Sequence, residues 1–105
     1  MIAQLTLFKL KPDVTPERLE EMMWLTRASL LKIPEILSLR TGKSVTAGAP
    51  WSWFVSIETE SLDKLAICQD DANYFKYLGE VVQPSVERQE VLMFEMEPRK
   101  DVKYS

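Results

Sequence analysis

The sequence predicts one small, soluble α+β domain with the element order β-α-β-β-α-β. The 105 residues are the length of a single domain. Their composition, 46% hydrophobic and 28% charged, is ordinary for a globular protein. Strand-like alternation near both ends encloses segments with apolar residues at helical spacing. We expect the domain to span residues 1–100, followed by a polar tail at 101–105.

The first predicted strand covers residues 2–11, where side chains alternate between two faces. One face carries Gln4 and Thr6, and the other carries Leu5 and Leu7. Both faces are largely apolar, so both are expected to be covered. On the face that packs against helices, Gln4 and Thr6 would need hydrogen-bond partners, either a ligand or ordered water, or each other and neighbouring backbone.

The first predicted helix begins at Thr15 and Pro16 and ends near Lys32. A threonine side chain can cap the open amides of a helix start, and proline suits the first helical position. Pro34 stops the helix because the residue before a proline is pushed out of the α region. The apolar stripe of this helix is Leu19, Met22, Met23 and Leu30, with Thr26 on the same face.

Two further strands follow, joined by a glycine-containing hairpin loop. The second strand is predicted over residues 36–45, with a bulge or bend at Gly42, because glycine inside a strand often marks such a site. The third strand, residues 51–58, alternates apolar and polar side chains and would place Trp51 and Trp53 on one face.

The remainder of the chain predicts an interrupted helix and a fourth strand. Ser61 is expected to cap a short helix, and the pair Asp70 and Asp71 to break it and cap a second piece. Pro84 is expected to end that second piece. Apolar residues then alternate again, which predicts the fourth strand over residues 90–97.

Helices lying on one face of a four-stranded antiparallel sheet form a ferredoxin-like sandwich. The opposite face would still be rich in leucine, phenylalanine, tryptophan or methionine. A bare apolar face of several hundred square ångströms rarely stays in contact with water. We therefore expect a homodimer through the sheet face, since twofold dimers are the commonest assembly.

The composition excludes several classes of function. The 13 basic and 16 acidic residues give a net charge of −3 without a basic stripe, so no nucleic-acid partner is expected. No apolar run approaches the roughly 20 residues of a membrane helix. The absence of histidine removes the commonest general base and metal ligand and excludes Ser-His-Asp and Cys-His systems. The single cysteine, Cys68, favours a reducing, cytoplasmic location.

Six short motifs, taken in order, resemble the stress-responsive A/B-barrel (Dabb) family. They are Leu7-Phe8-Lys9-Leu10-Lys11-Pro12, Lys32-Ile33-Pro34, Gly42-Lys43, Glu60-Ser61-Leu62, Val82-Gln83-Pro84 and the apolar strand at 91–96. The resemblance spans nearly the whole chain. It implies a dimer of ferredoxin-like units whose sheets close into a barrel. Many members have no known reaction, but plant polyketide cyclases of this family bind substrate between sheet and helices.

The chain departs from the family at the residues that carry the cyclase chemistry. The two histidines of the family's His-Pro-x-His-x-x-Phe segment fall on Asp71 and Tyr74, and its phenylalanine falls on Tyr77. A catalytic tyrosine and two further pocket histidines of the cyclases fall on Cys68, Gln4 and Trp53. The cyclase chemistry is therefore not expected to carry over.

The resemblance and the strand faces together predict a ligand pocket for a small apolar or aromatic molecule. Its expected members are Gln4, Thr6, Met23, Trp53, Val55, Tyr74 and Tyr77. Tyr74 is a weak catalytic candidate, because a phenol with a pKa near 10 donates hydrogen bonds but is a poor base at neutral pH. The alternatives are that both tyrosines lie at the helix surface with hydrated hydroxyls, and that Trp53 and Met23 are core packing.

Cys68 is the second weak catalytic candidate. Only Lys64 could activate it as a nucleophile, and the alternative is an idle buried thiol. Asp70 and Asp71 alone would make a poor metal site, and haem would need an axial histidine. We therefore expect neither metal nor cofactor.

Three functions stay open. The first is a dimeric A/B-barrel protein with a small apolar cavity. The name of the family suggests an association with stress. The second is a cofactor-free enzyme, cyclase-like or monooxygenase-like, acting on a polyketide-like or aromatic molecule through Tyr74, Gln4 and Cys68. The third is a structural interaction module. The missing histidines favour the first. A dry interior would favour a structural role, and an open pocket with convergent polar groups would favour binding or catalysis.

Overall fold

The computed structural model describes residues 1–98 as a four-stranded antiparallel sheet with helices packed on one face. The strands are β1 Ile2–Leu10, β2 Ser38–Lys43, β3 Trp53–Thr59 and β4 Val86–Glu95. The helical segments are α1 Pro16–Leu30, α2 Leu62–Gln69, α3 Ala72–Tyr77, a π-helical turn Leu78–Val82, and the single turn α4 Gln83–Ser85. The strand order β2-β3-β1-β4 confirms the predicted ferredoxin-like sandwich. The predicted tail, 101–105, lies outside the described residues.

All three predicted helix starts are capped by side chains. The hydroxyls of Thr15 and Ser61 each accept a hydrogen bond from the backbone N–H three residues later, at 3.1 and 3.2 Å. A carboxylate oxygen of Asp71 accepts one from the N–H two residues later, at 2.7 Å. These bonds satisfy amides that a helix cannot satisfy internally, and they confirm the predicted break between α2 and α3.

Pro84 does not end the last helix, which corrects the sequence prediction. The chain stays helical through Leu78–Val82 and Gln83–Ser85. A proline inside an α-helix lacks an N–H and clashes with the carbonyl four residues earlier. Here a wider π-helical turn, with Gln83 N–H bonded to the Leu78 carbonyl, comes directly before Pro84 and relieves that clash.

The fourth strand begins at Val86 and ends at Glu95, whereas the sequence predicted residues 90–97. The four residues after Val86 are all polar, so side-chain alternation gave no signal for this part of the strand. They pair with the end of β1, where Val86 lies opposite Leu10 after a register shift. Backbone pairing along the sheet edge, rather than an apolar pattern, therefore extends this strand.

The second and third strands are shorter than predicted at the ends that flank the hairpin loop. The strand prediction was wrong for Trp51, which precedes β3 and lies beneath the Arg88 guanidinium, 5.6 Å from the ring centroid. The predicted bulge at Gly42 is also absent, because Gly42 pairs in regular register with Phe54. A Cβ at Gly42 would lie 2.6 Å from Phe54 Cε1, so glycine here makes room for the ring.

The core lies between the sheet and α1, α2 and α3. Phe8 and Trp53 stack at its centre with ring centroids 4.5 Å apart. The indole N–H of Trp53 is satisfied by the Thr41 hydroxyl at 2.6 Å, as a buried tryptophan requires. Buried side chains packed around this pair include Met22, Leu30, Ile33, Ile57, Leu65 and Val81.

The opposite face of the sheet, called the open sheet face below, carries no helix in the described chain. Leu5 and Leu7 of β1 lie on it beside Leu92 and Phe54 of the neighbouring strands. Phe94, at its edge, is 50% exposed. The face is thus apolar and uncovered within one chain.

Candidate functional site

A cavity of about 70 Å³ lies between the helix-facing side of the sheet and α3. Its sheet side is formed by Gln4, Thr6, Phe8, Val55 and Ile57, its helix side by Leu30, Tyr74, Tyr77 and Leu78, and its β4 end by Gln89 and Val91. A mostly apolar lining with a few polar groups is the usual composition of a ligand pocket. The volume is well below the roughly 300–1,000 Å³ of drug-sized pockets, so the cavity accommodates only a small chemical group.

The structure brings together five of the seven predicted pocket residues: Gln4, Thr6, Val55, Tyr74 and Tyr77 line the cavity. Met23 and Trp53 do not. Trp53 is bound into the core by its stacking on Phe8 and its hydrogen bond to β2, and Met23 packs at the margin of the same core.

Gln4 organises the polar part of the cavity. Its side chain is only 3% exposed, and its amide is bonded at both ends. The amide oxygen accepts from Gln69 Nε2 at 2.7 Å, and the amide nitrogen donates to the Tyr74 hydroxyl oxygen at 2.9 Å. Because this bond uses Tyr74 as acceptor, the Tyr74 proton has no acceptor among residues 1–98. That proton is available for a hydrogen bond into the cavity that Tyr74 lines.

Tyr77 has a different role, because its proton is already used. The Thr26 hydroxyl donates to the Met22 carbonyl at 2.8 Å and lies 2.8 Å from the Tyr77 hydroxyl. A threonine hydroxyl has one proton, so Tyr77 must be the donor to Thr26. Tyr77 therefore presents its ring to the cavity. The alternative that both tyrosines carry hydrated hydroxyls at the surface does not hold.

Burial keeps the titratable groups near the cavity protonated. It raises the pKa of Tyr74 above its ordinary value, and the hydrogen bond from Gln4 only partly opposes this effect. Burial also raises the pKa of Cys68 to about 11, with smaller contributions from the Glu35 and Asp71 carboxylates. At neutral pH Tyr74 is a hydrogen-bond donor, and Cys68 is a buried thiol that does not line the cavity.

A groove of about 490 Å³ adjoins the cavity along β4. Leu78 and Gln89 line both spaces, so these two side chains stand between the cavity and the groove. Phe75, Val82 and Val86 make most of the groove apolar. The cavity and the groove are therefore neighbours, and the groove is also lined by Glu87 and Arg88.

The predicted pocket lacked Gln69, which bonds Gln4, and six of the lining residues: Phe8, Leu30, Ile57, Leu78, Gln89 and Val91. Gln69 lies at the end of α2, where nothing local signals a contact with β1. Gln89 fell outside the predicted fourth strand, which began one residue later. Leu78 lies in a π-helical turn, Leu78–Val82, which has no sequence signature here and places this side chain between the cavity and the groove.

No group of three or more histidine, cysteine, aspartate or glutamate side chains in residues 1–98 is arranged to hold a metal ion. In the same part of the chain, no helix is long and apolar enough to cross a membrane.

No protein-family model and no curated protein matches the sequence. Solved structures do match. A dimeric ferredoxin-like protein of unknown function from Thermobifida fusca is 21% identical, with a TM-score of 0.80 over 90% of each chain. A Dabb family protein with a ferredoxin-like fold from Mesorhizobium loti is 12% identical, with a TM-score of 0.80 over 91% of this chain and 96% of the other.

A hydroxynitrile lyase from Passiflora edulis is 10% identical, with a TM-score of 0.80 over 95% of this chain and 96% of the other. Similarity at these identities shows a shared fold. The protein is a ferredoxin-like α+β domain, and its structural neighbours include a Dabb family protein, proteins described as dimeric, and an enzyme.

Proposed function

We propose that the protein is a homodimeric A/B-barrel protein of the Dabb type that binds a small neutral molecule through an oxygen acceptor. The observation that carries this proposal is the chain of hydrogen bonds from Gln69 through Gln4 to Tyr74. It holds a donor at the wall of a mostly apolar cavity that is also lined by Thr6 and Gln89. Tyr74 is partly buried, and a ligand that fills the cavity would shield its proton from water, so a ligand acceptor would then be needed to satisfy that proton.

The lining and size of the cavity narrow the ligand class. None of the lining residues is charged, so a carboxylate or phosphate would be buried without a counter-charge. About 70 Å³ suits a carbonyl group with a few carbons. The rest of the molecule would pass Leu78 and Gln89 into the apolar groove. A ketone or phenol with an aromatic or aliphatic remainder fits these conditions.

A matched pair of small molecules tests the proposal. Acetophenone carries a carbonyl acceptor, and ethylbenzene has a similar shape without one. In ¹⁵N-labelled protein, acetophenone should shift the amide signals of residues around the cavity. Tyr74→Phe should lower the affinity for acetophenone about 2- to 10-fold, which is the effect of losing one neutral hydrogen bond of about 0.5–1.5 kcal/mol. The affinity for ethylbenzene should not change. Equal weakening of both molecules, or shifts confined to other surfaces, would contradict the proposal.

The homodimer is supported by the apolar open sheet face. Neighbouring residues on β4 provide a matched test, because they point to opposite faces of the sheet. Phe94 lies on the open face and is 50% exposed, while Met93 lies on the other face and is 56% exposed. Phe94→Asp should dissociate the dimer in sedimentation velocity, and Met93→Asp should leave it intact. A dimer that survives Phe94→Asp would argue against assembly through this face.

A cofactor-free enzyme is the second candidate, favoured by the donor position of Tyr74 and by the enzyme that shares this fold. Tyr74 would polarise a substrate carbonyl, but proton abstraction would need another base, because both Tyr74 and Cys68 stay protonated at neutral pH. Polyketide-like ketones and cyanohydrins are the substrates to screen. Turnover that persists unchanged in Tyr74→Phe would remove this assignment.

A further inference from the structure

The Thr6 hydroxyl is a second polar group at the cavity that has no partner in the described chain. Thr6 lines the cavity from β1 and is only 8% exposed. In residues 1–98 its hydroxyl forms no hydrogen bond, whereas the other two buried threonines, Thr26 and Thr59, donate to backbone carbonyls at 2.8 and 3.0 Å. Most buried polar side chains have a partner, so a molecule in the cavity is the expected partner of this hydroxyl.

Thr6 lies between the Tyr74 hydroxyl and the groove along β4. Gln4, Thr6 and Phe8 follow one another on the helix-facing side of β1, with about 6–7 Å from each to the next. The Tyr74 hydroxyl is bonded to Gln4 at 2.9 Å, which places it at one end of this row. Gln89, which lines both the cavity and the groove, lies opposite Phe8 at the other end. A ligand that extends from Tyr74 toward the groove therefore passes Thr6.

We propose that Thr6 determines specificity and that the ligand is a hydroxy ketone, with its hydroxyl on a carbon next to the carbonyl. In this arrangement the carbonyl oxygen accepts the Tyr74 proton, and the ligand hydroxyl forms a hydrogen bond with Thr6. The two oxygen atoms of such a ligand lie close together, which fits a space of about 70 Å³. The inference rests on the proposed binding through Tyr74 and narrows its ligand class.

A hydroxyl suits Thr6 better than other polar groups do. The Thr6 hydroxyl offers one proton and two lone pairs, so a ligand hydroxyl can either accept that proton or donate to that oxygen. An ether oxygen could only accept. An ammonium group is disfavoured, because none of the lining residues carries a charge that would balance it. A hydrocarbon group is disfavoured as well, because it would shield the Thr6 hydroxyl from water without bonding it.

Thr6→Val tests whether the hydroxyl is unpaired in the free protein. Valine keeps the branched shape of threonine and removes the hydroxyl, so no hydrogen bond within the chain is lost. The midpoint of urea unfolding should therefore not fall below that of wild type. Thr26→Val is the matched comparison, because it removes the acceptor of Tyr77 and should lower the midpoint. A clear fall in Thr6→Val would show that the hydroxyl already has a partner, and it would overturn the inference.

A pair of ketones of equal size tests the ligand class. Phenacyl alcohol and propiophenone share the carbonyl and the phenyl ring, and they differ only in a hydroxyl or a methyl group at the end of the short arm. Both affinities are measured by titrating ¹⁵N-labelled protein. The ratio of the affinity for phenacyl alcohol to that for propiophenone should fall about 2- to 10-fold in Thr6→Val, the range for one neutral hydrogen bond. Thr6→Ser, which retains a hydroxyl, should keep the wild-type ratio. A ratio that does not change in Thr6→Val overturns the inference.

Tyr74→Phe separates a failure of this inference from a failure of the proposed binding. Both ketones carry the carbonyl, so this substitution should lower both affinities by the same factor and leave their ratio unchanged. If neither ketone binds at the cavity, or if neither affinity depends on Tyr74, the proposed binding fails and the inference fails with it. If both affinities depend on Tyr74 but their ratio does not depend on Thr6, the inference alone is overturned.

Discussion

Replacing Gln4 by glutamate tests the direction of the hydrogen bonds at the cavity without changing the size of the side chain. In the native protein the Gln4 amide donates to Tyr74 at 2.9 Å and accepts from Gln69 at 2.7 Å. At a pH above its folded pKa, the introduced side chain is a carboxylate with no proton to donate, so Tyr74 would turn its own O–H toward it. The substitution therefore removes from the cavity the proton that the proposed ligand requires.

The size of the effect follows from one hydrogen bond. A neutral hydrogen bond contributes about 0.5–1.5 kcal/mol, and 1.4 kcal/mol corresponds to about tenfold in affinity. Gln4→Glu should therefore lower the preference for acetophenone over ethylbenzene about 2- to 10-fold. Gln4→Leu is the informative control. It removes both hydrogen bonds and should cost about 1–3 kcal/mol of stability, but it leaves the Tyr74 proton available, so the preference should persist.

The carboxyl introduced by Gln4→Glu also predicts a pH dependence. Gln4 is 3% exposed, so burial at this position should raise the pKa of the introduced carboxyl in the folded state. The protonated carboxyl then contributes to the stability of the folded state. This contribution is complete below the unfolded pKa of about 4.3, and it is lost as the pH rises through the folded pKa. Relative to wild type, the variant should lose stability to urea as the pH rises from about 4 toward neutrality. A folded Gln4→Glu protein that keeps the full acetophenone preference would refute the assigned direction of the bonds.

Three further outcomes are expected from the packing and burial of other side chains. Thr26→Val keeps the shape of the side chain but leaves the buried Tyr77 hydroxyl without its acceptor, so urea unfolding should show a loss of about 1–3 kcal/mol, whereas Thr26→Ser should keep that bond. Because burial raises the pKa of Cys68 from 9.0 to about 11, the folded protein holds this proton longer than the unfolded chain. Stability should then fall by roughly 2–3 kcal/mol as the pH rises from 9 to 11, and Cys68→Ala should lack that part of the decline. Gly42→Ala sets a methyl group 2.6 Å from the Phe54 ring and should destabilise the protein by about 1–3 kcal/mol; Phe54→Leu in the same chain should recover part of the loss, and an unchanged melting temperature would contradict the close contact.

The protonation states around the cavity connect the missing histidines to the proposed role. In the polyketide cyclases of the family that the sequence resembles, histidine takes part in the acid–base chemistry. The resemblance implies that Gln4 and Tyr74 stand at two of those positions, and in this structure they form a hydrogen bond with each other. Both are neutral at physiological pH: glutamine does not titrate, and burial raises the pKa of Tyr74 further above an ordinary value already near 10. Such a neutral pair can hold a hydrogen-bond donor in place but supplies no base at neutral pH, which is consistent with the proposed binding role.

Local features of the sequence determined the fold class and most of its elements. The caps at Thr15, Ser61 and Asp71 are found correctly because a capping hydrogen bond spans only two or three residues. Strand alternation placed Gln4 and Thr6 together on one face of β1, and the family resemblance placed Tyr74 near them. These inferences succeed because strand alternation and helix capping depend only on residues that are close together along the chain.

The tertiary structure alone decided how those residues are used. Gln4 and Gln69 are 65 positions apart, and Thr26 and Tyr77 are 51 apart, so no local pattern indicates which hydroxyl has a proton to offer a ligand. The early start of β4 depends on pairing with β1, and the helix that continues through Pro84 depends on a π-helical turn. These features depend on packing between segments that are distant in the sequence. Several arrangements are compatible with the local sequence, and those that leave a buried polar group without a hydrogen bond are disfavoured.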